Sequence, residues 1–299
     1  MRTYSIKELE NFSGTKAHTI RIWEQRYNLF TPQRTETGIR YYNDADLKKI
    51  LATTVLLKTG MKISKISFLD KDEFLNELNK IEIGKVSSES KIELYITNII
   101  IAGLNYNEED IQNEFKKLKK EYDTYTIQIK VVYPLLTRIG IMWGKDEMNP
   151  LQEHFISNII RQNLIIETEM LSISNDLKNK IVLFLPENET HEIGLLFANY
   201  ILKKEGFKTI YLGQQVPINS LISYIKEEKI TKALGFVFLM PGSTKLEKMI
   251  SKLSMNCENT QFYWGGYTKA FSSLKLPSNQ ILINSIDEFK NTLIKTKNV

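Results

Sequence analysis

Along this chain the spacing of apolar positions changes more than once, and each change predicts a different kind of structure. Over residues 4–70 the pattern is that of short helices with one strand-like excursion. Ser5 to Glu10 opens a first helix, and Ser5 with Glu8 three positions on has the form of a capping box. Ser13-Gly14 makes a turn. Lys16 to Tyr27 reads as a second helix whose Ile20, Trp23 and Tyr27 lie on one inward stripe. Pro32 stops that helical run, and Thr37-Gly38 forms a turn between two short extended arms, the outline of a wing. A third helix is expected from Asn43–Asp46.

Residues 71–88 begin as a short polar helix and decay into a linker containing Gly84, Ser87 and Ser88. Four helical segments follow, near 89–104, 108–122, 126–143 and 150–173. Val132, Leu135, Leu136, Ile139 and Trp143 fall on one helix face, and a four-helix bundle accounts for the segment simply. From residue 178 short apolar runs rich in β-branched and aromatic residues (KIVLFL, KTIYLG, ALGFVFL, QFYWGG, ILIN) alternate with helical stretches at 192–204, 217–228, 243–254 and 286–294. Alternation at that spacing predicts a parallel sheet, and five strands suit the flavodoxin-like order, with the ligand site at the carboxyl ends of the strands. The expected architecture is multidomain: an α-rich winged helix-turn-helix over 1–75, a linker over 76–88, a helical bundle over 89–175 and a flavodoxin-like (Rossmann-type) α/β domain over 178–299.

Charge sharpens the first block. The net charge is +5, and residues 1–70 hold 12 Lys and Arg against 7 Asp and Glu, so the whole excess lies in the first quarter of the chain. A local basic excess suits a polyanionic partner. The apolar runs are far short of the ~20 residues that span a bilayer, so no membrane partner is expected. The first residues lack the apolar stretch of a signal peptide, and the lone Cys257 cannot form an internal disulfide. Cytoplasmic residence is the expectation. There is no CxxC, HExxH or phosphate-loop signature and no evident nucleophile–base pair, so no enzyme activity is expected.

Thr15, Lys16, Thr19 and Arg21 lie near the N-terminal half of the second helix, the part that enters a major groove in helix-turn-helix docking, with Arg26 further along it. Arg34 and Arg40 flank the wing tip, and Tyr41 offers a hydroxyl to a phosphate. The succession Arg21…Trp23-Glu24…Arg26-Tyr27…Pro32…Arg34…Gly38…Arg40-Tyr41-Tyr42 resembles the N-terminal domain of the MerR family of regulators over residues 3–70. That resemblance implies binding to double-stranded promoter DNA. Many members of that family dimerise through a long helix after the DNA domain. Only 71–80 is available for one here, which points to a homo-oligomer, dimer or tetramer, built through the sensor domains.

The chain has three histidines, His18, His154 and His191. His191 follows the first strand of the α/β block as Glu189-x-His191-x-x-Gly194. A loop there can project an imidazole, Glu189 can bond its second nitrogen, and Gly194 permits close approach of a planar ligand. This pattern resembles the lower-ligand motif of cobalamin-binding domains, with Glu where Asp is commoner. Leu212-Gly213 and Val216-Pro217 after the second strand resemble that family's LG…VP stretch, and Gly265-Gly266 its glycine pair beside the nucleotide tail. Trp143, nine intervening residues and then Glu153-His154 resemble the cap of the light-sensing, adenosylcobalamin-binding branch of MerR regulators, the CarH and LitR type. There these residues shelter the adenosyl face. Two positions depart: Val237 stands where cobalamin domains commonly have a serine, and Gly144 follows Trp143 where light-sensing members can have a histidine.

The resemblance implies a transcription repressor whose assembly on DNA is controlled by adenosylcobalamin, its cobalt ligated by His191, and by light that breaks the cobalt–carbon bond. A cobalamin-independent MerR-type regulator sensing a protein or another small molecule is the alternative that Val237 and Gly144 keep open. A corrinoid protein of a methyl-transfer system would suit the sensor half but not the fused DNA-binding half.

Overall fold

The computed structural model describes residues 3–70, 73–74, 76–77, 88–143, 148–172, 180–238, 243–272 and 274–294. Most of the expected linker, the segment 71–80 and Gly144 lie largely or wholly outside these residues. The chain divides into two compact units, 1–159 and 160–299.

The first unit starts with α1, Ile6–Ser13, held by the reciprocal Ser5–Glu8 capping box and closed by Gly14 in the left-handed region. Helix α2, Ala17–Tyr27, buries Ile20 and Trp23. Strands β1, Gln33–Arg34, and β2, Arg40–Tyr41, pair antiparallel with Arg34 opposite Arg40, which is the predicted wing. Tyr4 and Tyr42 exchange backbone hydrogen bonds of 2.8 and 2.9 Å, tying the chain start to the wing's return arm. A second capping box, Asn43 with Asp46, opens α3, Asp44–Lys58, and a short α4, Ile63–Ile66, follows.

The bundle begins with α5, Ser88–Leu104, and α6, Glu108–Glu121, capped by Asn107. Helix α7, Thr124–Ile127, passes through a π-helical turn, Gln128–Val132, into α8, Tyr133–Trp143. Pro134 explains the turn: it lacks an N–H, and its ring would strike the carbonyl four residues back, so the ladder widens just before it. The periodicity had suggested one uninterrupted helix here. Helix α9, Pro150–Glu169, opens on a reciprocal Asn149–Gln152 pair, and the buried Gln152 amide also donates to the Leu104 carbonyl at 2.8 Å. Glu93 of α5 takes Arg138 of α8 at 2.7 Å and Lys58 of α3 at 3.3 Å, joining the DNA-reading block to the bundle. Burial pushes the Glu93 carboxyl up, but the two cations outweigh it and hold it below its usual value.

The second unit is a five-stranded parallel sheet flanked by helices. Its elements are β3, Lys180–Pro186; α10, Ile193–Lys204; β4, Lys208–Val216; α11, Ile218–Glu227; β5, Lys232–Val237; α12, Ser243–Asn256; β6, Gln261–Gly266; and β7, Gln280–Leu282. A last short helix, α13, Ile286–Phe289, runs into a π-helical turn at Lys290–Ile294. The strand order is β4-β3-β5-β6-β7, the flavodoxin-like order expected. Interior strand β3 is buried at six of its seven positions, as a parallel strand covered on both faces must be.

Two strand boundaries differ from expectation. Strand β4 runs on to Val216, so Leu212, Gly213 and Val216 lie within it rather than after it. Its pairing with β3 slips past Leu183, and Gly213 and Gln215 take φ of 76° and 53°. Strand β5 stops at Val237, although the apolar run had suggested Leu239.

Candidate functional site

In the first unit the predicted DNA-reading residues divide by exposure. Lys16, Arg21, Arg26 and Arg34 are exposed, whereas Thr15, Thr19, Arg40 and Tyr41 are half-buried. Arg34 donates to the Gly38 carbonyl at 3.2 Å across the wing turn, and the Arg26 guanidinium stands 5.7 Å from the centre of the Tyr27 ring. Lys16 pairs with Glu10 at 3.3 Å while staying largely in solvent.

Arg40 is placed differently from a free phosphate contact. Its Nε donates to Glu24 Oε1 at 2.9 Å, and the Tyr42 hydroxyl donates to the other carboxylate oxygen at 3.3 Å. Glu24 therefore clamps the wing to α2. Burial, and then the Glu24 charge, push the Tyr42 phenol up to about 12, so it stays a donor at neutral pH.

In the second unit the site is built at the point where the sheet order reverses. There the carboxyl ends of β3 and β5 lie side by side, with the segment after β3 carrying Glu189 and His191 and Phe238 following β5. Glu189 is 3 % exposed and organises the loop through both oxygens. Oε1 accepts from the backbone N–H of Thr190 and His191 and lies 2.7 Å from His191 Nδ1. Oε2 accepts the Phe238 backbone N–H at 2.7 Å, which bridges the two strand ends. A carboxylate on Nδ1 fixes the tautomer, leaving Nε2 as the basic nitrogen on a ring that is 54 % exposed.

A neighbouring cluster escaped sequence reasoning. Glu192, buried beside His191, accepts from Arg161 Nε at 2.6 Å, from the Tyr211 hydroxyl at 2.8 Å and from Gln214 Nε2 at 2.9 Å. Burial raises the Glu192 carboxyl, but these donors outweigh it and hold it below its usual value. Desolvation and then Glu192 push the Tyr211 phenol strongly up. Arg161 lies 31 residues from Glu192, and no local pattern signals the pair.

The glycines have local reasons. A Cβ on Gly194 would stand 3.1 Å from the Phe238 ring and 3.3 Å from Phe236. On Gly265 it would stand 2.9 Å from Phe236. Gly266 has φ 98°, and a Cβ there would strike the Val237 backbone carbonyl. Val237 itself is buried in the sheet's core with Phe262 and Trp264. The structure thus brings Glu189, His191, Phe238 and Gly194 together, with Gly213 beside Glu192, and assigns Val237 to packing. The exposed apolar side chains Phe238 and Tyr267 stand just past the ends of β5 and β6, and Leu212 lies within β4.

Trp143, Glu153 and His154 belong to the first unit. Trp143, at the last residue of α8, is 55 % exposed, and His154 Nδ1 lies 2.6 Å from Glu153 on the first turn of α9.

As for fit to a cobalt-bearing macrocycle, the donor set agrees. Among the described residues no group of three His, Cys, Asp or Glu could hold a metal ion. A cobalt already held by a macrocycle asks one donor of the protein, and the His191 imidazole, oriented by Glu189 and beside the Phe238 ring, fits that need. The rings of Phe236 and Phe238 already pack against Gly194, so the glycines alone are no sign of a ligand.

Comparison with known proteins follows the same division. Residues 4–71 match the MerR HTH family of regulatory proteins, and residues 95–166, the helical bundle, match the B12 binding domain family. The chain is 27 % identical to the HTH-type transcriptional repressor CarH of Myxococcus xanthus over 223 residues, 74 % of each chain. It is 23 % identical to the HTH-type transcriptional repressor CarA of the same organism over 222 residues, 73 % of this chain and 71 % of that one. The monomethylamine corrinoid protein of Methanosarcina barkeri shares its fold, with a TM-score of 0.55 at 15 % identity over 65 % of this chain and 95 % of the other.

Proposed function

We propose that this chain, which matches a MerR-family regulator with a B12-binding domain, is a DNA-binding transcription repressor controlled by cobalamin. The observation that carries the reading is the buried Glu189 carboxylate on His191 Nδ1, which orients Nε2 outward from the end of β3 as a cobalt ligand. The domain limits we assign are 1–75 for DNA reading, 76–88 for the linker, 89–175 for the bundle and 178–299 for the α/β domain. A regulator of this kind has no need of catalysis, and we read the chain as one without enzyme activity. Among the described residues no helix is long and apolar enough to cross a membrane, and we place the protein in the cytoplasm.

The corrinoid supplies, when bound in its adenosyl form, a cobalt–carbon bond that light can break. The protein's own part is binding and orientation. Glu189 holds the imidazole, Gly194 at the start of α10, Gly213 within β4 and Gly265 and Gly266 at the end of β6 shape its surroundings, and we assign Trp143, Glu153 and His154 to the cap for the adenosyl face. Control is then a bias between assembly states: a ligand that favours one oligomer shifts DNA affinity by its differential affinity for the two. We infer a dimer or tetramer formed through the sensor domains, bound to double-stranded promoter DNA. There Thr15 and Lys16 just before α2 and Thr19 and Arg21 within it face the groove, and Arg26, Arg34, Arg40 and Tyr41 lie beside it.

Two measurements test this. Size-exclusion chromatography of the protein with adenosylcobalamin should show one oligomer in the dark and a smaller species after green light. Unchanged elution rejects light-driven disassembly but leaves cofactor binding standing. Absorbance after desalting reads that binding separately.

A further inference from the structure

Close to His191, the face of the sheet toward α10 carries an aromatic side chain set between two glycines. Phe236, near the end of β5, is the register partner of Gly265 in β6. A Cβ on Gly265 would stand 2.9 Å from its ring, and one on Gly194, in the first turn of α10, 3.3 Å from it. The ring therefore fills the strip that these two glycines leave without side chains. Phe238 extends it outward, its ring centre 5.9 Å from that of Phe236 and 5.8 Å from that of His191. An aromatic row thus runs from the imidazole into the domain.

Polar partners are lacking along this row. Gly194, Gly265 and Phe238 have no polar side chain, and Val237 points to the opposite face, into the core with Trp264. The backbone N–H groups just past the two strands are already used. That of Phe238 donates to Glu189 at 2.7 Å, and that of Tyr267 to the Val237 carbonyl at 2.7 Å. An anionic group buried here would find none of these donors free, and burying a charge unpaired is costly.

Both observations bear on which corrinoids the site accepts. Besides its macrocycle, cobalamin carries a nucleotide arm, a phosphodiester and ribose ending in a flat base, on the side of the lower cobalt ligand. With His191 as that ligand, a buried arm would need a channel beside the imidazole, and Phe236 stands where the two glycines would otherwise leave one. We propose that Phe236 makes the site indifferent to the arm. The site holds a corrinoid through His191 and the macrocycle and leaves the arm in water, so an armless cobinamide is as good a ligand as cobalamin. The inference rests on the reading of His191 as a cobalt ligand. It departs from the likeness of Gly265-Gly266 to a glycine pair beside a buried nucleotide tail, because Gly265 here makes room for a side chain of its own domain.

Absorbance titration of the full chain in the dark compares adenosylcobalamin with adenosylcobinamide, which share the macrocycle and the adenosyl group and differ in the arm. Adenosylcobinamide should bind at least as tightly. Phe236→Ala opens the strip, so the ratio of the two affinities should move toward adenosylcobalamin by about tenfold, the gain from burying a ring-sized apolar group. A ratio taken within one variant cancels any loss of stability that both ligands feel, and the wild-type ratio decides alone if the variant does not fold. Wild-type protein that binds adenosylcobalamin more than about tenfold tighter, a difference of 1.4 kcal/mol, would overturn the proposal and leave the His191 reading standing. An unchanged ratio in Phe236→Ala would also overturn it. If neither corrinoid binds, the proposal and the reading beneath it fall together.

Discussion

Among the residues of the first block, Glu24 rather than an exposed arginine makes the contacts that join the wing to α2. A simple charge argument says that removing an acid from a basic DNA-binding face strengthens binding to phosphate. The structure predicts the reverse, because Glu24 holds Arg40 and Tyr42 and so sets the wing against α2. Glu24→Ala should weaken binding to the promoter site, measured by fluorescence anisotropy, and tighter binding would refute the clamp. Arg40→Ala should weaken binding to specific and random duplexes alike. Loss on the specific site alone would instead make Arg40 a base reader. Glu189 plays the same part at the other site: Glu189→Gln should cost about 10–100-fold in corrinoid affinity, the usual price of losing a ligand's outer partner. Equal affinity in the dye-free absorbance titration would show that His191 needs no such support.

At the level of elements, helix crossing and strand order carry the account. Gly103 of α5 lies where an added Cβ would overlap the Ile156 side chain of α9. Gly103→Ala gains up to about 1 kcal/mol in helix propensity, but overpacking costs about 1–3 kcal/mol. The net should be destabilisation, read from urea midpoints, and a more stable variant would show that the crossing can yield. Most of these elements were legible in the sequence, since capping boxes, the wing turn and the alternation of apolar runs are local signals. Ser5 with Glu8 and Asn43 with Asp46 are encoded within four residues. What sequence could not show came from contacts between distant segments. Arg40 meets Glu24 across 16 residues, Glu189 reaches the Phe238 N–H across 49, and Glu192 gathers three donors from two elements, α9 and β4. The π-helical turn before Pro134 was readable in principle, but periodicity alone hides it.

For the molecule as a whole, acid stability follows from two carboxylates, one in each unit. Glu93 and Glu192 both titrate below the ordinary value of 4.5 when folded. Their contribution is therefore fully present at neutral pH and is lost as pH falls through their folded values. Thermal melting against pH should show the wild type losing more stability below that point than Glu192→Gln, and parallel curves would contradict it. The central claim is that an oriented His191 imidazole binds a corrinoid, and the absorbance spectrum tests it most directly. Protein incubated in the dark with micromolar adenosylcobalamin and then desalted should keep the red chromophore, and His191→Ala should lose most of it. A wild-type protein that emerges colourless would contradict the account.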